Sequence, residues 1–132
     1  MLDSRRDEAR ARRYTRRLVE AVASRATLTL LHIHGREIAF DELAALPVPA
    51  INWHDRLTPP TLGAARHRFG GALVGGLSEW GTLRRGPVRA IADEVDDAVR
   101  QTDGHGVIVA PGCVLPLDVP EAHLAAARRC RP

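Results

Sequence analysis

The stretch Thr27-Leu28-Thr29-Leu30-Leu31-His32-Ile33-His34-Gly35 decides how the rest of the chain is read. It is aliphatic and β-branched and ends in Gly, the composition of a buried strand. Residues two apart on a strand share a face, so His32 and His34 project together while Ile33 points the other way. Upstream the period changes. Ala11, Tyr14, Leu18 and Val22 recur at three- and four-residue spacing, which predicts a helix over 4–24 with one apolar stripe. Ser4, with Asp7 three residues on, comes close to a capping box at its start.

Downstream, strand and helix patterns alternate. Ile38 to Leu46 reads as a short helix stopped before Pro47, and Pro49 to Trp53 as a second strand. A helix over Leu62–Phe69 and a third strand over Ala72–Leu77 follow. Gly86 and Pro87 open a helix to about Thr102, with Val88, Ile91, Val95 and Val99 as its inner stripe. Gly104 and Gly106 bracket the turn into a fourth strand, Val107 to Ala110. The last helix is expected from Asp118, with Glu121 completing an Asp-x-x-Glu cap, to Cys130. Four βα repeats behind one helix imply a parallel sheet with right-handed crossovers. We read a single α/β domain over 1–132, made of an Arg-rich helix (1–26) and four βα units (27–132).

Composition agrees with that class. Hydrophobic residues make up 45% of the 132 residues and aromatics only 4%, so the core must be aliphatic, as buried parallel strands are. The net charge of +3 is unevenly spread. Residues 1–25 hold eight Arg against four acids, whereas the remainder holds eleven Arg against twelve acids. Cys113 and Cys130 are the two cysteines, too few for a disulfide scaffold. The Arg-rich start has no apolar run behind it, and no stretch approaches the 18 or so residues of a membrane span. The expectation is a reduced cytoplasmic protein that does not enter the membrane.

Parallel α/β folds place their chemistry where the strands end and the βα loops emerge. The first strand delivers His32 and His34, the second Asn52, His54 and Asp55. The third delivers Gly75, Gly76 and Ser78, and the fourth Pro111, Gly112 and Cys113. His32, His34 and Cys113 form a three-ligand set for zinc, with a fourth tetrahedral position left open. The competing reading makes them hydrogen-bonded strand-end histidines and a small buried thiol. Asn52, His54 and Asp55 are candidate catalytic residues that orient a substrate or act as general base, or else cap the turn before Pro59-Pro60. Gly75-Gly76 suits the close approach of a cofactor or ligand, or tight packing of the strand.

Taken in order, these motifs resemble the uroporphyrinogen decarboxylase and corrinoid methyltransferase superfamily. Leu31-His32-Ile33-His34-Gly35 is similar to its H-x-C-G strand, and Ala50 to Asp55 to its apolar-apolar-Asp-Trp strand. Ala72 to Leu77 resembles its L-x-G-N-L/I-D strand, with Gly76 where Asn is common. Gly106 to Pro120, followed by Glu121-Ala122-His123-Leu124, resembles its final segment and last helix. The resemblance implies a partial (β/α)₈ TIM barrel, the C-terminal half only, since a complete barrel takes about 250 residues. It also implies one of two chemistries. Decarboxylases of porphyrin biosynthesis are lyases that need no cofactor and act on a tetrapyrrole. Relatives that move methyl groups between a corrinoid protein and a thiol hold zinc with a His-x-Cys pair and a later Cys. Carried over, His32 matches the His, His34 stands at the first Cys position and Cys113 at the later Cys. His in place of Cys keeps a ligand but hardens the site. The decarboxylase's substrate-binding Arg and Asp belong to the family's N-terminal half.

Half a barrel has two open strand edges, which predicts association as a homodimer or with a complementing N-terminal half. Two rival readings stand beside the enzyme. One is a catalytically inactive truncated fragment. The other is a polyanion-binding module using the Arg-rich helix, against which the acids at 7, 8 and 20 and the lack of interleaved aromatics argue. A nucleic-acid partner is accordingly not expected.

Overall fold

The computed structural model describes residues 4–130, with side chains from Arg12 onward. The Ser4–Asp7 cap and Ala11 of the expected stripe fall outside the described side chains. In chain order the elements are α1 (Ser4–Ala23), β1 (Leu30–Ile33), α2 (Phe40–Ala44), β2 (Ala50–Trp53) and α3 (Leu62–Arg66). They continue with β3 (Ala72–Leu77), α4 (Thr82–Arg85), α5 (Val88–Gln101), β4 (Val107–Pro111) and α6 (Glu121–Arg129). The four strands form one parallel sheet in the order β1-β2-β3-β4. Each strand lies beside its sequence neighbour, as in a segment of a barrel wall.

Register aligns the site. His32 pairs with Asn52 across β1 and β2, and Asn52 with Val74 across β2 and β3. Val74 in turn faces Ile108 on β4. The residues between them point to the helices. Ile33, Ile51, Trp53 and Leu73 join Phe40, Leu46, Leu62 and Ala65 in one apolar cluster. Leu77, Ile91, Val95 and Ala126 form a second cluster under α5 and α6. Trp53 is wholly buried, lies edge-on to Phe40 at 5.0 Å between ring centroids, and satisfies its indole N–H on Pro60 O. Each such fully buried large side chain contributes roughly 1.5–3 kcal/mol.

Several sequence expectations are corrected here. On α1 the stripe Tyr14, Leu18, Val22 faces outward, with Tyr14 and Leu18 about two-thirds exposed, while Val19 turns inward at 6%. One residue is a rotation of about 100° on a helix. The helix reaches the core through Val19 and pairs Arg12 with Glu42 of α2 at 2.5 Å. On α5, Val88 is exposed and Ala98 takes its place in the core beside Ile91 and Val95. The last helix begins at Glu121 behind Pro120, with no side-chain cap. Asp118 is instead paired with Arg84 at 2.7 Å. The short helix α4 was not expected. It is held by Glu94, whose carboxylate accepts from the Ser78 N–H and the Thr82 hydroxyl. Among the described residues no helix is long and apolar enough to cross a membrane.

The sheet's concave face stays open at its margins. Leu30 on β1 and Ile108 on β4 are each about half exposed, and Leu28 just before β1 is exposed further. With β1 and β4 outermost, both sheet edges are unpaired among the described residues. In a complete barrel these positions would face other strands.

Candidate functional site

At the C-terminal end of the sheet, the register places Asn52 between His32 and the β3 and β4 backbones. The Asn52 amide Nδ2 donates to Val74 O at 2.8 Å and to Pro111 O at 3.2 Å. Carbonyls only accept, so this nitrogen is the amide's donor and Oδ1 its acceptor. Oδ1 lies 2.6 Å from His32 Nδ1, which must therefore carry the ring proton. His32 Nε2 is left with its lone pair, and it faces Cys113 Sγ at 3.6 Å. One buried amide thus joins all four strands and sets the tautomer of the histidine beside the thiol.

The other two imidazoles stand close by. His34 is 6.4 Å from His32 between ring centroids and 5.2 Å, edge-on, from His54. His32 and His54 are 6.3 Å apart. His34 and His54 line a cavity of about 470 Å³ together with Gly35, Arg36, Leu57 and Thr58. A second cavity of about 290 Å³ lies between α1 and the loop after β1, also reaching His34.

Behind His54 lies a residue that sequence reading passed over. Glu79, in the loop after β3, is 2% exposed and places Oε1 2.6 Å from His54 Nδ1. The contact is short but misaligned. Neither atom makes a hydrogen bond of good geometry with any described group. No periodic pattern marks Glu79 in Ser78-Glu79-Trp80-Gly81, and its only sequence signal is a carboxylate just past a buried strand.

The structure therefore brings together His32, His34, Asn52, His54 and Cys113 from the sequence-derived set, and adds Glu79. Asp55, Gly75 and Gly76 serve the wall behind the site. The Asp55 carboxylate accepts the Gly76 N–H at 2.9 Å and lies 3.8 Å from Arg56 Nε. Burial pushes its carboxyl above the ordinary value, opposed by the Gly76 hydrogen bond and the Arg56 charge. A side chain at Gly75 would collide with the Asp55 carboxylate, and one at Gly76, whose φ is +100°, would come within 2.5 Å of Ala98 Cβ. Close packing against the loop and α5 accounts for both glycines, the second of the two readings the pair allowed.

Two of the candidate donors stand at a spacing that a hydrogen bond and a shared tetrahedral ion both allow. Bonds of about 2.0–2.1 Å to nitrogen and 2.3 Å to sulfur place two tetrahedral ligands roughly 3.6 Å apart. His32 Nε2 and Cys113 Sγ have that separation, and the Asn52 acceptor behind His32 is the usual second support of a ligating histidine. Among the described residues no three His, Cys, Asp or Glu side chains already surround one metal-sized point.

Comparison with known proteins agrees with this architecture. A family model described as Uroporphyrinogen decarboxylase (URO-D) matches residues 1–131. Among solved structures, a methyltransferase from Methanosarcina mazei superposes with a TM-score of 0.73 at 24% sequence identity, over 86% of this chain. The chain spans 33% of that methyltransferase's length, so the shared fold is a part of that larger molecule. No curated protein matches the chain.

Proposed function

Because the chain belongs to the uroporphyrinogen decarboxylase (URO-D) family, we propose that it supplies one rim of an active site for methyl transfer to a thiol. His32, Cys113 and His34 would hold zinc there. The observation that carries this reading is the Asn52–His32–Cys113 chain, which presents one nitrogen lone pair and one sulfur at tetrahedral-ligand spacing. A thiol ligand favours a borderline-soft ion such as zinc. When bound, zinc would supply Lewis acidity toward a substrate thiol. The chain's own residues then have separable tasks. Asn52 fixes the His32 ring, Cys113 offers sulfur, and the cavity shared by His34 and His54 receives the small-molecule substrate. The methyl donor, whether a corrinoid protein or a small molecule, would approach from the open concave side of the sheet.

A cofactor-free, carboxyl-lyase reading has one observation in its favour, the basic lining of the cavity by His34, Arg36 and His54, which suits a polycarboxylate. The polyanion-binding reading is weaker, because Arg12 is committed to Glu42 and Arg16 stands 3.8 Å from Glu20.

Zinc content of protein purified without chelators tests the proposal. We expect close to one zinc per chain, falling sharply in Cys113→Ser and His32→Ala. Substoichiometric zinc that is unchanged in Cys113→Ser would overturn the methyl-transfer reading and leave the carboxyl-lyase one.

A further inference from the structure

We propose that two copies of this chain close one eight-stranded barrel, β4 of each pairing with β1 of the other, so that both sets of strand-end residues share a single mouth. Exposed apolar side chains stand at both margins of the sheet. Leu28 is 62% exposed, Leu30 48% and Ile108 49%. The first two belong to the β1 margin and the third to β4, the two outermost strands. Unpaired edges of this kind take up a further strand. All four strands are parallel and lie in chain order. A two-fold axis running from base to mouth therefore sets β4 beside the partner's β1 in parallel sense, and does so twice. Four strands from each copy make the eight whose interior side chains can fill.

Register decides which residues meet. A barrel of this kind slips by about eight residues per circuit, hence by about four per half circuit. The row His32, Asn52, Val74, Ile108 therefore arrives on the partner's chain four residues before His32, at Leu28. Leu28 continues the face of Leu30 and His32, because residues two apart on a strand share a side. Both junction residues are thus apolar, inward-facing and exposed in the single chain. The same slip, about one residue per strand, stacks the inward side chains in layers of four drawn from alternate strands. From base to mouth, two copies layer Ala50 with Ile108, then Leu30 with Val74, then Asn52 with Ala110. Three such layers are the ordinary filling of a (β/α)₈ interior. The lower two are wholly apolar, and the polar one lies next to the mouth, where Asn52 holds His32. A second copy therefore covers Leu28, Leu30 and Ile108 together and walls the concave side on which His32 and Cys113 meet. The mouth end remains as the approach to them.

Disulfide trapping tests the closure, in chains carrying Cys113→Ser and Cys130→Ser so that only introduced thiols react. Level residues on neighbouring strands lie roughly 5 Å apart, within disulfide reach. Oxidised Leu28→Cys/Ile108→Cys should shift to a covalent dimer and no further, because both junctions close within one ring. Leu28→Cys and Ile108→Cys chains, each inert alone, should cross-link when mixed. Leu28→Cys with Val107→Cys should not, because Val107 packs against the helix-side core. Wild type should scatter light as a dimer at micromolar concentration, a reading that needs no substitution to fold. A wild-type monomer, a ladder of cross-linked species beyond the dimer, or equal trapping through Val107→Cys would overturn the closed barrel. Trapping reads the strand pairing and zinc content reads the ligands, so the barrel and the zinc reading can each fail alone.

Discussion

Replacing Asn52 by Asp exchanges an amide NH₂ for an oxygen at almost constant volume, so its consequences are polar rather than steric. The lost nitrogen donates to Val74 O at 2.8 Å and Pro111 O at 3.2 Å. Two such bonds are worth about 2 kcal/mol net, and leaving the buried Val74 carbonyl opposite another oxygen adds about 1–2 kcal/mol. The expected destabilisation is therefore about 3–4 kcal/mol. With a urea slope of about 2 kcal/mol/M for a domain of this size, the midpoint falls by about 1.5–2 M. Asn52→Ala removes the same two bonds and should cost a similar amount, but the two variants diverge at His32. A carboxylate in place of the amide still accepts from His32 Nδ1, whereas a methyl group cannot. Nitrogen NMR of the imidazole should therefore show the wild-type tautomer kept in Asn52→Asp and released in Asn52→Ala. A midpoint for Asn52→Asp within about 0.3 M of wild type, or an unchanged His32 tautomer in Asn52→Ala, would contradict the proposed role of this amide.

Further outcomes follow from the same contacts. Gly76→Ala should destabilise by about 3 kcal/mol or more in the same denaturation assay, because φ is +100° and the new methyl would meet Ala98 Cβ at 2.5 Å; a loss below about 1 kcal/mol would show that α5 yields easily. Arg56→Met removes bonds to Gly76 O, Glu94 O and Asp97, and should cost about 2 kcal/mol at neutral pH. Burial raises the Asp97 carboxyl, but hydrogen bonds from Arg56 and Gln101 and the Arg56 and Arg100 charges outweigh it and hold the group below its ordinary 3.8. The folded state then binds fewer protons than the unfolded one, so this stabilisation is complete above about pH 3.8 and is lost as pH falls through the lower folded value. Arg56→Met should flatten that acid limb, and an identical slope in both proteins would count against the assignment. Finally, the exposed Tyr14, Leu18 and Leu30 should drive association at micromolar concentration. Light scattering should show Leu18→Glu with Leu30→Glu shifting the population to monomer, and a wild-type monomer would end that expectation.

Much of this was legible in the residues alone. The alternation in Leu31-His32-Ile33-His34 fixes which side chains share a face, because a strand's period of two is local geometry. The structure accordingly exposes both histidines and buries Ile33. The βα order likewise follows from local patterns, and with it the meeting of His32 with Cys113, 81 residues away, since parallel strands with short crossovers end at one side. Tertiary structure decided what local pattern leaves degenerate. Helix α1 carries apolar residues on two faces, and only the packed core selects Val19 over Leu18. Asp118 could cap α6 or pair with Arg84, and the approach of α4 settles it. Glu79 is an ordinary loop carboxylate until the fold places its oxygen 2.6 Å from His54 and closes it off from water. Burial and partnership are properties of the packed chain, and a charged side chain acquires its chemistry from them.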